Sequence, residues 1–200
     1  MPGLIVHEWV EKSGGSEKVV EELLAEFPQA DLQVLWSDAP DRFARPVRET
    51  WLARTALRKR KELALPLMPL VWRALDRRPE PEWMLVSSHL FAHHARLRNA
   101  RQIPKLVYAH TPARYIWEPS LDARGASAPV RIASAVLKPI DRSRAQEAIS
   151  IAANSEFTRQ RVRRAWNRDA TVIFPPVDTR RIRSERIWQD RLSPEEEGIV

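Results

Sequence analysis

A strand, a helix and a second strand are predicted for residues 149–178, ISIAANSEFTRQRVRRAWNRDATVIFPPVD. Ile149–Ala153 is a short apolar run of the kind that forms a buried strand. Ser155 follows it, and a serine there accepts a hydrogen bond from the first turn of a helix. Thr171–Phe174 is the next apolar run, and Pro175–Pro176 ends it because proline has no N–H group for a strand ladder.

The loop between this strand and this helix is a candidate anion site. It presents Asn154 and Ser155 at the N-terminus of the helix, where unpaired N–H groups and the helix dipole favour negative charge. Thr158 occupies the third helical position, and the arginines that follow give the helix a basic exterior. The unit is therefore a strand–helix–strand with a polar first loop.

Short apolar runs alternate with helical patterns along the rest of the chain. The runs predicted as strands are Leu4–Val6, Leu32–Trp36, Val47–Leu52, Trp83–Ser87 and Leu106–Tyr108. The segments predicted as helical are Ser16–Phe27, Glu62–Leu75 and Val130–Ala148, and prolines disturb the last two. Strands that alternate with helices predict an α/β fold with a doubly wound, mainly parallel sheet and helices on both faces.

Length and composition indicate a single domain of ordinary size. The chain has 200 residues, of which 44% are hydrophobic, enough for a real core. Cysteine is absent, which excludes disulfides, thiol catalysis and cysteine-bound zinc. The first residues do not resemble a signal peptide, and no apolar run reaches the roughly 18 residues that span a bilayer. These features predict a cytoplasmic protein.

Positive charge is concentrated after residue 50. Residues 1–50 contain 5 Lys/Arg and 10 Asp/Glu, a net charge of −5, and residues 51–200 contain 28 and 16, a net charge of +12. The basic part suits phosphates, acidic lipid or nucleic acid, or it is simply a solvated, arginine-rich surface. No helix-turn-helix, RNP-like or zinc-finger pattern is present, so no specific nucleic-acid partner is predicted.

Five basic residues in Arg54–Lys61 directly precede the apolar segment Leu63–Trp72. A basic cluster beside an apolar, tryptophan-containing segment is typical of a peripheral contact with the anionic inner face of a membrane. The alternative is a core helix with a solvated entry. The sequence leaves both interpretations open.

Two glycines follow the first predicted strand. Gly14 and Gly15 allow the backbone to approach a ligand closely, and Ser16 is a suitable N-cap for the next helix. This loop matches neither the GxGxxG fingerprint nor a phosphate-binding loop that ends in Lys-Ser/Thr. It therefore predicts either a phosphate-facing loop or a flexible loop before a capped helix.

Three histidines follow the strand Trp83–Ser87, namely His89, His93 and His94. Such a density is compatible with metal binding. However, His89 and His93 have no carboxylate partner at helical spacing and no zinc motif fits, so no metal site is predicted. A polar pocket wall and a plain surface helix are the alternatives.

A polar and aromatic group follows the strand Leu106–Tyr108. His110 precedes a Thr-Pro turn, and then come Arg114, Tyr115 and Trp117. Aromatic rings suit the C–H faces of a sugar, while histidine and arginine reach hydroxyl or phosphate groups. Because ligands of doubly wound sheets gather at the carboxyl ends of the strands, this group predicts a sugar site.

Four segments, in this order, resemble the N-terminal domain of a GT-B fold glycosyltransferase of family 4, the retaining transferases. The matching segments are Gly14–Lys18, His110–Trp117, Ala153–Thr158 and Pro175–Asp178. The resemblance extends over nearly the whole chain and implies a Rossmann-like domain beside an interdomain cleft. The His-Thr-Pro-aromatic segment resembles members that add mannose or a related sugar to lipid-linked or cell-surface glycans.

The resemblance also implies roles for individual residues. Gly14 and Gly15 approach the donor diphosphate, and His110, the catalytic candidate, lies at the transferred sugar or the reacting centre. The other residues implied at the diphosphate or the cleft are Ser16, Asn154, Ser155 and Thr158. The residues implied at the acceptor or the sugar are His89, Arg114, Tyr115 and Trp117. The nucleotide-sugar is a substrate, and the family requires neither a metal nor another cofactor.

The resemblance finally implies a parent protein with two domains. Residues 1–178 correspond to the acceptor-side domain and residues 179–200 to a charged linker, and the second, donor-binding domain is absent. The glutamate motif and the basic pair of the family lie in that second domain, so the isolated chain is expected to be inactive. The alternative is a non-catalytic Rossmann-like module that binds an anionic ligand or a membrane surface.

Overall fold

The computed structural model describes residues 2–118, 128–177 and 179, and a seven-stranded sheet forms its centre. The strands are β1 (Gly3–His7), β2 (Asp31–Val34), β3 (Val47–Glu49), β4 (Trp83–Ser88), β5 (Lys105–Ala109), β6 (Ser150–Ala153) and β7 (Thr171–Val172). Their spatial order is β3-β2-β1-β4-β5-β6-β7, and every neighbouring pair is parallel. The predicted doubly wound α/β fold is confirmed, with a sheet that is wholly parallel.

Six α-helices connect these strands within the described ranges. They are α1 (Gly15–Glu26), α2 (Lys61–Ala64), α3 (Met68–Arg73), α4 (Arg114–Trp117), α5 (Ala128–Ala145) and α6 (Glu156–Trp166). Short 3-10 helices span Pro40–Arg42, Trp51–Arg54, Ala56–Lys59 and Ala92–His94. Among the helices of the described ranges, none is long and apolar enough to cross a membrane.

Alternating side chains of the sheet enter two hydrophobic cores, one on each face. Leu4 and Val6 of β1 belong to the larger core, to which α3, α5 and α6 contribute. Ile5 belongs to the smaller core, to which α1 contributes Val20 and Leu24. Both faces of β1 are therefore buried, as in other parallel sheets that carry helices on both sides.

The segment after β6 folds locally as its sequence predicts. Ser155 is extended (φ −164°, ψ 163°) and caps α6, and its hydroxyl accepts a hydrogen bond from the Thr158 N–H group at 3.2 Å. This bond satisfies one of the N–H groups that a helix leaves free at its start. Asn167 ends α6 in the left-handed region (φ 53°, ψ 41°), which asparagine tolerates better than most other residues.

β2 and β3 are shorter than the predicted strands Leu32–Trp36 and Val47–Leu52. Thr50 turns the chain inward after β3, where its hydroxyl donates to Leu35 O at 2.9 Å. The Thr50 N–H group also faces Leu35 O, at 3.2 Å. These bonds replace the ladder, so both strands end before the predicted boundaries.

The prolines act differently in the two helical segments that they were predicted to disturb. The segment Glu62–Leu75 is divided into α2 and α3, and Pro66 lies in the break. Pro69 is tolerated in the first turn of α3, where its missing N–H group has no partner in any case. α5 continues as one helix through Pro139, so this proline does not end the helix.

The order of the strands reverses between β1 and β4. From β1 the chain proceeds outward through β2 to β3, and from β4 it proceeds through β5 and β6 to β7 on the other side. In doubly wound sheets, the crevice at the carboxyl ends of the strands around this point is the usual ligand site. The predicted linker lies outside the described residues, apart from Thr179.

Candidate functional site

Three histidines from three strand ends meet at the point of reversal. His7 ends β1, His89 follows β4 and His110 follows β5. The ring centroids are 5.6 Å apart for His7 and His89, and 6.5 Å apart for each other pair. The structure thus places the predicted residues His89 and His110 side by side and adds His7, which is fully buried.

Ser87, in the last part of β4, links two of these histidines. Its hydroxyl oxygen lies 2.8 Å from His110 Nε2 and 3.1 Å from His7 Nδ1. His7 Nδ1 is also 3.2 Å from the main-chain oxygen of Ser87. A continuous chain of polar contacts therefore joins β1, β4 and the segment after β5.

Burial makes His7 and His110 neutral near pH 7. Burial, followed by the neighbouring His89, lowers the pKa of His7 to about 4. Burial, followed by the charges of His7 and His89, lowers the pKa of His110 to about 3. A neutral imidazole has one N–H donor and one acceptor nitrogen, so the tautomer of each ring determines what it can bind.

Glu8, the residue after β1, is a buried carboxylate that holds the loop after β4. It accepts hydrogen bonds from the N–H groups of Leu90 and Ala92, both at 2.8 Å, and from the His89 N–H group at 3.2 Å. Burial raises the pKa of Glu8, but the neighbouring imidazoles and these N–H groups together lower the pKa by a larger amount, so the net shift is downward. Glu8 is therefore an internal anion that shapes the loop on which His89 lies.

The glycine loop ends at the N-terminus of α1, where a carboxylate of the chain itself is bound. The helix begins at Gly15 with Gly14 as its N-cap, so the predicted N-cap at Ser16 is wrong. The Ser16 hydroxyl instead donates to Glu17 Oε2 at 2.9 Å, and Glu17 Oε1 accepts from the Glu11 N–H group at 2.9 Å. Glu17 folds back over the first turn and supplies the negative charge that helix starts favour.

The two glycines of this loop have different surroundings. A Cβ atom on Gly14 would collide with the Glu17 carboxylate, whereas a Cβ atom on Gly15 would meet nothing within 4 Å. The charge of Glu17 also raises the pKa values of His7 and His110, against the larger effect of burial. The loop and the histidines thus share one edge of the sheet, and Gly15 borders open space there.

Asn154, Ser155 and Thr158 lie at the carboxyl end of β6, beside the His110 segment. The Asn154 N–H group donates to Ala109 O at 3.2 Å, and the Thr158 hydroxyl donates to His110 O at 3.2 Å. Thr158 is buried, whereas Asn154 and Ser155 are half-buried. The structure therefore places Asn154 and Ser155 at the rim of the site and Thr158 beneath it.

The three predicted sugar contacts of α4 have different environments. Arg114 and Tyr115 are exposed. Trp117 is half-buried, and its indole N–H group donates to Asp141 Oδ2 at 2.7 Å. The Arg142 guanidinium also lies 5.3 Å from the centre of the Trp117 ring. Trp117 is thus directed toward α5, whereas the side chains of Arg114 and Tyr115 are exposed.

Asp141 is a buried carboxylate that joins α4, α5, α6 and the segment after β4. Its Oδ2 atom accepts hydrogen bonds from the indole N–H groups of Trp117 and Trp166, both at 2.7 Å. Its Oδ1 atom lies 2.9 Å from His94 Nε2 and 3.1 Å from His93 Nε2. Burial raises the pKa of Asp141, but the two histidines together lower the pKa by a larger amount, so the net shift is downward.

His93 and His94 are therefore interior residues. Both are buried, so neither of the predicted alternatives, a polar pocket wall or a plain surface helix, is correct for them. Each lies on the short 3-10 helix that follows the loop held by Glu8. Their partner is the Asp141 carboxylate. It lies 47 residues after His94 in the sequence, so no local pattern indicates the contact.

Among the described residues, two groups of three could hold a metal ion, because their ligand atoms lie within 4.8 Å of one another: His7, Glu8 and His89, and His93, His94 and Asp141. In both groups the carboxylate already accepts hydrogen bonds from several protein donors. Donor N–H groups that point at a carboxylate oppose the approach of a cation.

The sequence predicted no role for His7, Ser87, Glu17 or Asp141. His7 had a usable signal, because it is the first polar residue after a buried strand at the edge where ligands bind. Ser87 is the partner of a histidine 80 residues away, and its contact follows from the pairing of β1 with β4. Glu17 and Asp141 lie within helices, where acidic residues are ordinarily solvated.

Comparison with known proteins identifies the family and supports the fold of the chain. A family model described as Glycosyltransferase Family 4 matches residues 13–181. Among solved structures, the chain is similar to a crystal structure of HepE from Anabaena in complex with UDP-glucose, with a TM-score of 0.56 and 14% sequence identity. The likeness covers 89% of this chain and 45% of the HepE chain, so this chain spans less than half of that length. No curated protein matches it in sequence.

Proposed function

The chain belongs to glycosyltransferase family 4, and we propose that it is the N-terminal, acceptor-side domain of a retaining transferase. In this proposal the whole protein moves a mannose-like sugar from a nucleotide-sugar to a glycan or lipid-linked acceptor. The observation that carries the proposal is the single edge of the sheet that combines His110, the open backbone at Gly15, and the rim residues Asn154 and Ser155.

A nucleotide-sugar donor fits the start of α6 at this edge. α6 begins directly after β6, and helix N-termini favour the negative charge of a diphosphate, whereas the start of α1 already holds the Glu17 carboxylate. The similar HepE structure contains UDP-glucose, which supports a donor of this chemical class. In our proposal Gly14, Gly15 and Ser16 lie toward the diphosphate, and Arg114 and Tyr115 lie toward the acceptor or the sugar.

The proposed reaction breaks the bond between C1 of the sugar and the diphosphate oxygen and forms a bond from C1 to an acceptor oxygen on the same face. The acceptor proton passes to the leaving diphosphate. The main task of the site is to stabilise the negative charge that develops on this diphosphate. His110 is neutral and serves as a hydrogen-bonding group, so no side chain is assigned as a general base. We propose that helix N-termini and basic groups replace a metal ion, and that no cofactor is needed.

The isolated chain is proposed to be inactive. It corresponds to 45% of the HepE chain, and the resemblance to the family assigns the basic pair and the glutamate motif to a second domain. One edge alone leaves the donor open to water, whereas closure of two domains would exclude water. Turnover of GDP-mannose or UDP-glucose by the 200-residue chain alone would contradict this part of the proposal.

Slow transfer to water tests the proposal without knowledge of the acceptor. The longer protein that contains this domain is incubated with GDP-α-mannose or with UDP-α-glucose, and the released sugar is followed by proton NMR. Initial release of the α-anomer from GDP-mannose, with less release from UDP-glucose, is expected. Initial release of the β-anomer would rule out retention, and a preference for UDP-glucose would rule out the mannose-like donor.

The rival function is a non-catalytic module that binds an anionic ligand or a membrane surface. Titration calorimetry of the chain and of the longer protein with GDP and UDP distinguishes the two. A transferase half is expected to bind either diphosphate weakly alone and much more tightly with the second domain. Equal, tight binding by both proteins without any sugar release would favour the rival.

Exposed apolar and basic side chains between residues 51 and 70 support a membrane contact. Trp51, Leu63 and Leu70 have 53%, 55% and 65% of their surface exposed, respectively. Arg54, Lys59 and Arg60 are also exposed and belong to the same predicted basic cluster. We propose that these basic and apolar side chains hold the protein at an anionic membrane, because apolar burial and lipid charge act together.

Co-sedimentation with vesicles tests this contact. Vesicles that contain phosphatidylglycerol should retain the chain, and vesicles of phosphatidylcholine alone should not. The triple variant R54A/K59A/R60A should lose this retention, since each basic residue near such a surface contributes about 1 kcal/mol. The charge-matched control R98A/R101A/R164A changes exposed arginines elsewhere in the chain and should bind as before. Equal losses of vesicle binding in both variants would show that the contact depends only on the net charge of the chain.

A further inference from the structure

The hydrogen bonds around Ser87 determine which nitrogen of His110 carries its proton. His7 Nδ1 lies 3.2 Å from Ser87 O, a main-chain oxygen that can only accept. His7 is neutral, because burial and the neighbouring His89 lower its pKa to about 4. The single proton of the His7 ring therefore lies on Nδ1, where it faces an acceptor.

This assignment fixes the direction of the next bond. His7 Nδ1–H also faces the Ser87 hydroxyl oxygen, at 3.1 Å, so that hydroxyl cannot donate to His7. Within the described residues, the one other hydrogen-bond partner of this hydroxyl is His110 Nε2, at 2.8 Å, so the hydroxyl proton has this nitrogen as its acceptor. Ser87 therefore donates to His110 Nε2, and this nitrogen must be the unprotonated one.

His110 then carries its proton on Nδ1. Its ring is neutral, since burial and the charges of His7 and His89 lower its pKa to about 3. Neither an acceptor nor a donor contacts His110 Nδ1 in the described part of the chain, while the main chain of His110 is held by Ser88 O and the Thr158 hydroxyl. The ring is thus fixed at one nitrogen and offers an N–H group at the other.

We propose that Ser87 is a positioning residue that holds His110 as the Nδ1–H tautomer, so that His110 donates a hydrogen bond to an oxygen of the bound nucleotide-sugar. This inference rests on the proposed transferase function. His7 supports Ser87 by facing the Ser87 main-chain and side-chain oxygens together. In this arrangement His110 is a neutral donor and not a proton acceptor toward the substrate.

Loss of the Ser87 hydroxyl should change the tautomer of His110 and not its ionisation state. In S87A the acceptor role of His110 Nε2 is no longer enforced, and a free neutral imidazole in water favours a proton on Nε2. S87T retains a hydroxyl on the same Cβ atom and should restore the Nδ1–H form. S143A removes an exposed serine of α5 and serves as the matched control.

Nitrogen-15 NMR of the ring-labelled chain tests the assignment without reference to activity. Long-range proton–nitrogen spectra distinguish Nδ1–H from Nε2–H rings, and the chain has only 5 histidines to assign. We expect Nδ1–H for His110 in the unchanged chain, S87T and S143A, and a shift toward Nε2–H in S87A. A His110 ring in the Nε2–H form in the unchanged chain overturns the proposal, and so does an unaltered ring in S87A.

Kinetics of the longer protein test the consequence. S87A should lower kcat/KM for the nucleotide-sugar about tenfold or more, since a wrong histidine tautomer in an active site can cost up to about 10⁴-fold. S87T should recover most of this loss, and S143A should show none. Normal kcat/KM in S87A with a changed tautomer would overturn the role toward the substrate. If the longer protein transfers no sugar, the proposed function fails, and the spectra still decide the tautomer.

If S87A does not fold, as its amide spectrum will show, the unchanged chain and S87T decide the proposal. Both must show the Nδ1–H form of His110. The tautomer of His7 is a second check in the same spectra, because the hydrogen bonds require its proton on Nδ1 as well. A His7 ring protonated on Nε2 would remove the basis for the direction of the Ser87 bond.

Discussion

At the scale of single residues, the site depends on polar groups whose protons are already directed by the protein. Glu8 and Glu17 are carboxylates at the site, yet main-chain N–H groups bind both of them. They are therefore committed to shaping two loops. We expect His110, the backbone at Gly15 and the rim residues Asn154 and Ser155, rather than these carboxylates, to meet the donor.

His110→Ala in the longer protein should reduce kcat by about 10²–10³-fold, the usual loss when one preorganised hydrogen-bond donor is removed from an active site. His110→Asn keeps an N–H donor near the position of Nδ1 and should lose less. The measurement is steady-state release of nucleoside diphosphate, with S143A as the control. Activity of H110A close to that of the unchanged protein would remove His110 from the site.

At the scale of elements, α6 shows how a local signal builds part of the site. Its N-cap was predictable, because Ser155 follows an apolar run and precedes a helical pattern. The same first turn carries Thr158, whose hydroxyl reaches back to His110 O. One local motif therefore both starts the helix and supports the segment after β5.

Ser155→Ala should lower the free energy of unfolding by about 1 kcal/mol, because α6 would lose the side-chain oxygen that accepts the Thr158 N–H group. Ser155→Asp preserves an acceptor and should be close to neutral. Urea unfolding followed by tryptophan fluorescence gives both values. A loss in S155D as large as that in S155A would show that the cap is not the cause.

Asp141→Ala should be far more destabilising, by about 3–5 kcal/mol, because it leaves donors from three other elements without their common acceptor. Trp117 and Trp166 donate directly to this carboxylate, so their fluorescence should change as well. Urea unfolding of D141A is compared with that of S143A, two residues away on α5. A difference below about 1 kcal/mol would mean that Asp141 is not a structural centre.

At the scale of the whole molecule, buried histidines link stability to pH. Burial is the first cause in each case, and neighbouring imidazoles add to it: the pKa values of His7 and His94 are lowered to about 4 and that of His110 to about 3. In the unfolded chain these groups titrate near 6.5. Between about pH 6.5 and 4 the unfolded state therefore binds more protons, and stability falls as pH falls.

The free energy of unfolding should decrease by about 4 kcal/mol between pH 7.5 and 5.5, since each of the three histidines contributes about 1.4 kcal/mol per pH unit below 6.5. Urea unfolding at several pH values measures this slope. His94→Gln keeps an N–H donor toward Asp141 but cannot titrate, so its slope should be about one third smaller. A stability that is constant over this range would contradict the buried, neutral state of these histidines.

The sequence by itself determined the alternation of strands and helices, the cap of α6, the glycine loop and the candidate positions at the strand ends. These features depend on neighbours within a few residues, so periodicity, caps and prolines are enough to predict them. Strand lengths were less predictable, because the turn at Thr50 depends on a contact with Leu35.

Only the tertiary structure decided which of these groups meet. The pairing of β1 with β4 brings Ser87 to His7, 80 residues away, and the packing of α5 on α6 and on the 3-10 helix Ala92–His94 brings Asp141 to Trp166 and the buried histidines. Such contacts follow from the register of the sheet and from helix packing, which join residues too far apart in the sequence for a local pattern to pair them. Hence the sequence predicted His110 as a site residue, whereas its partner, its ionisation state and its tautomer required the fold.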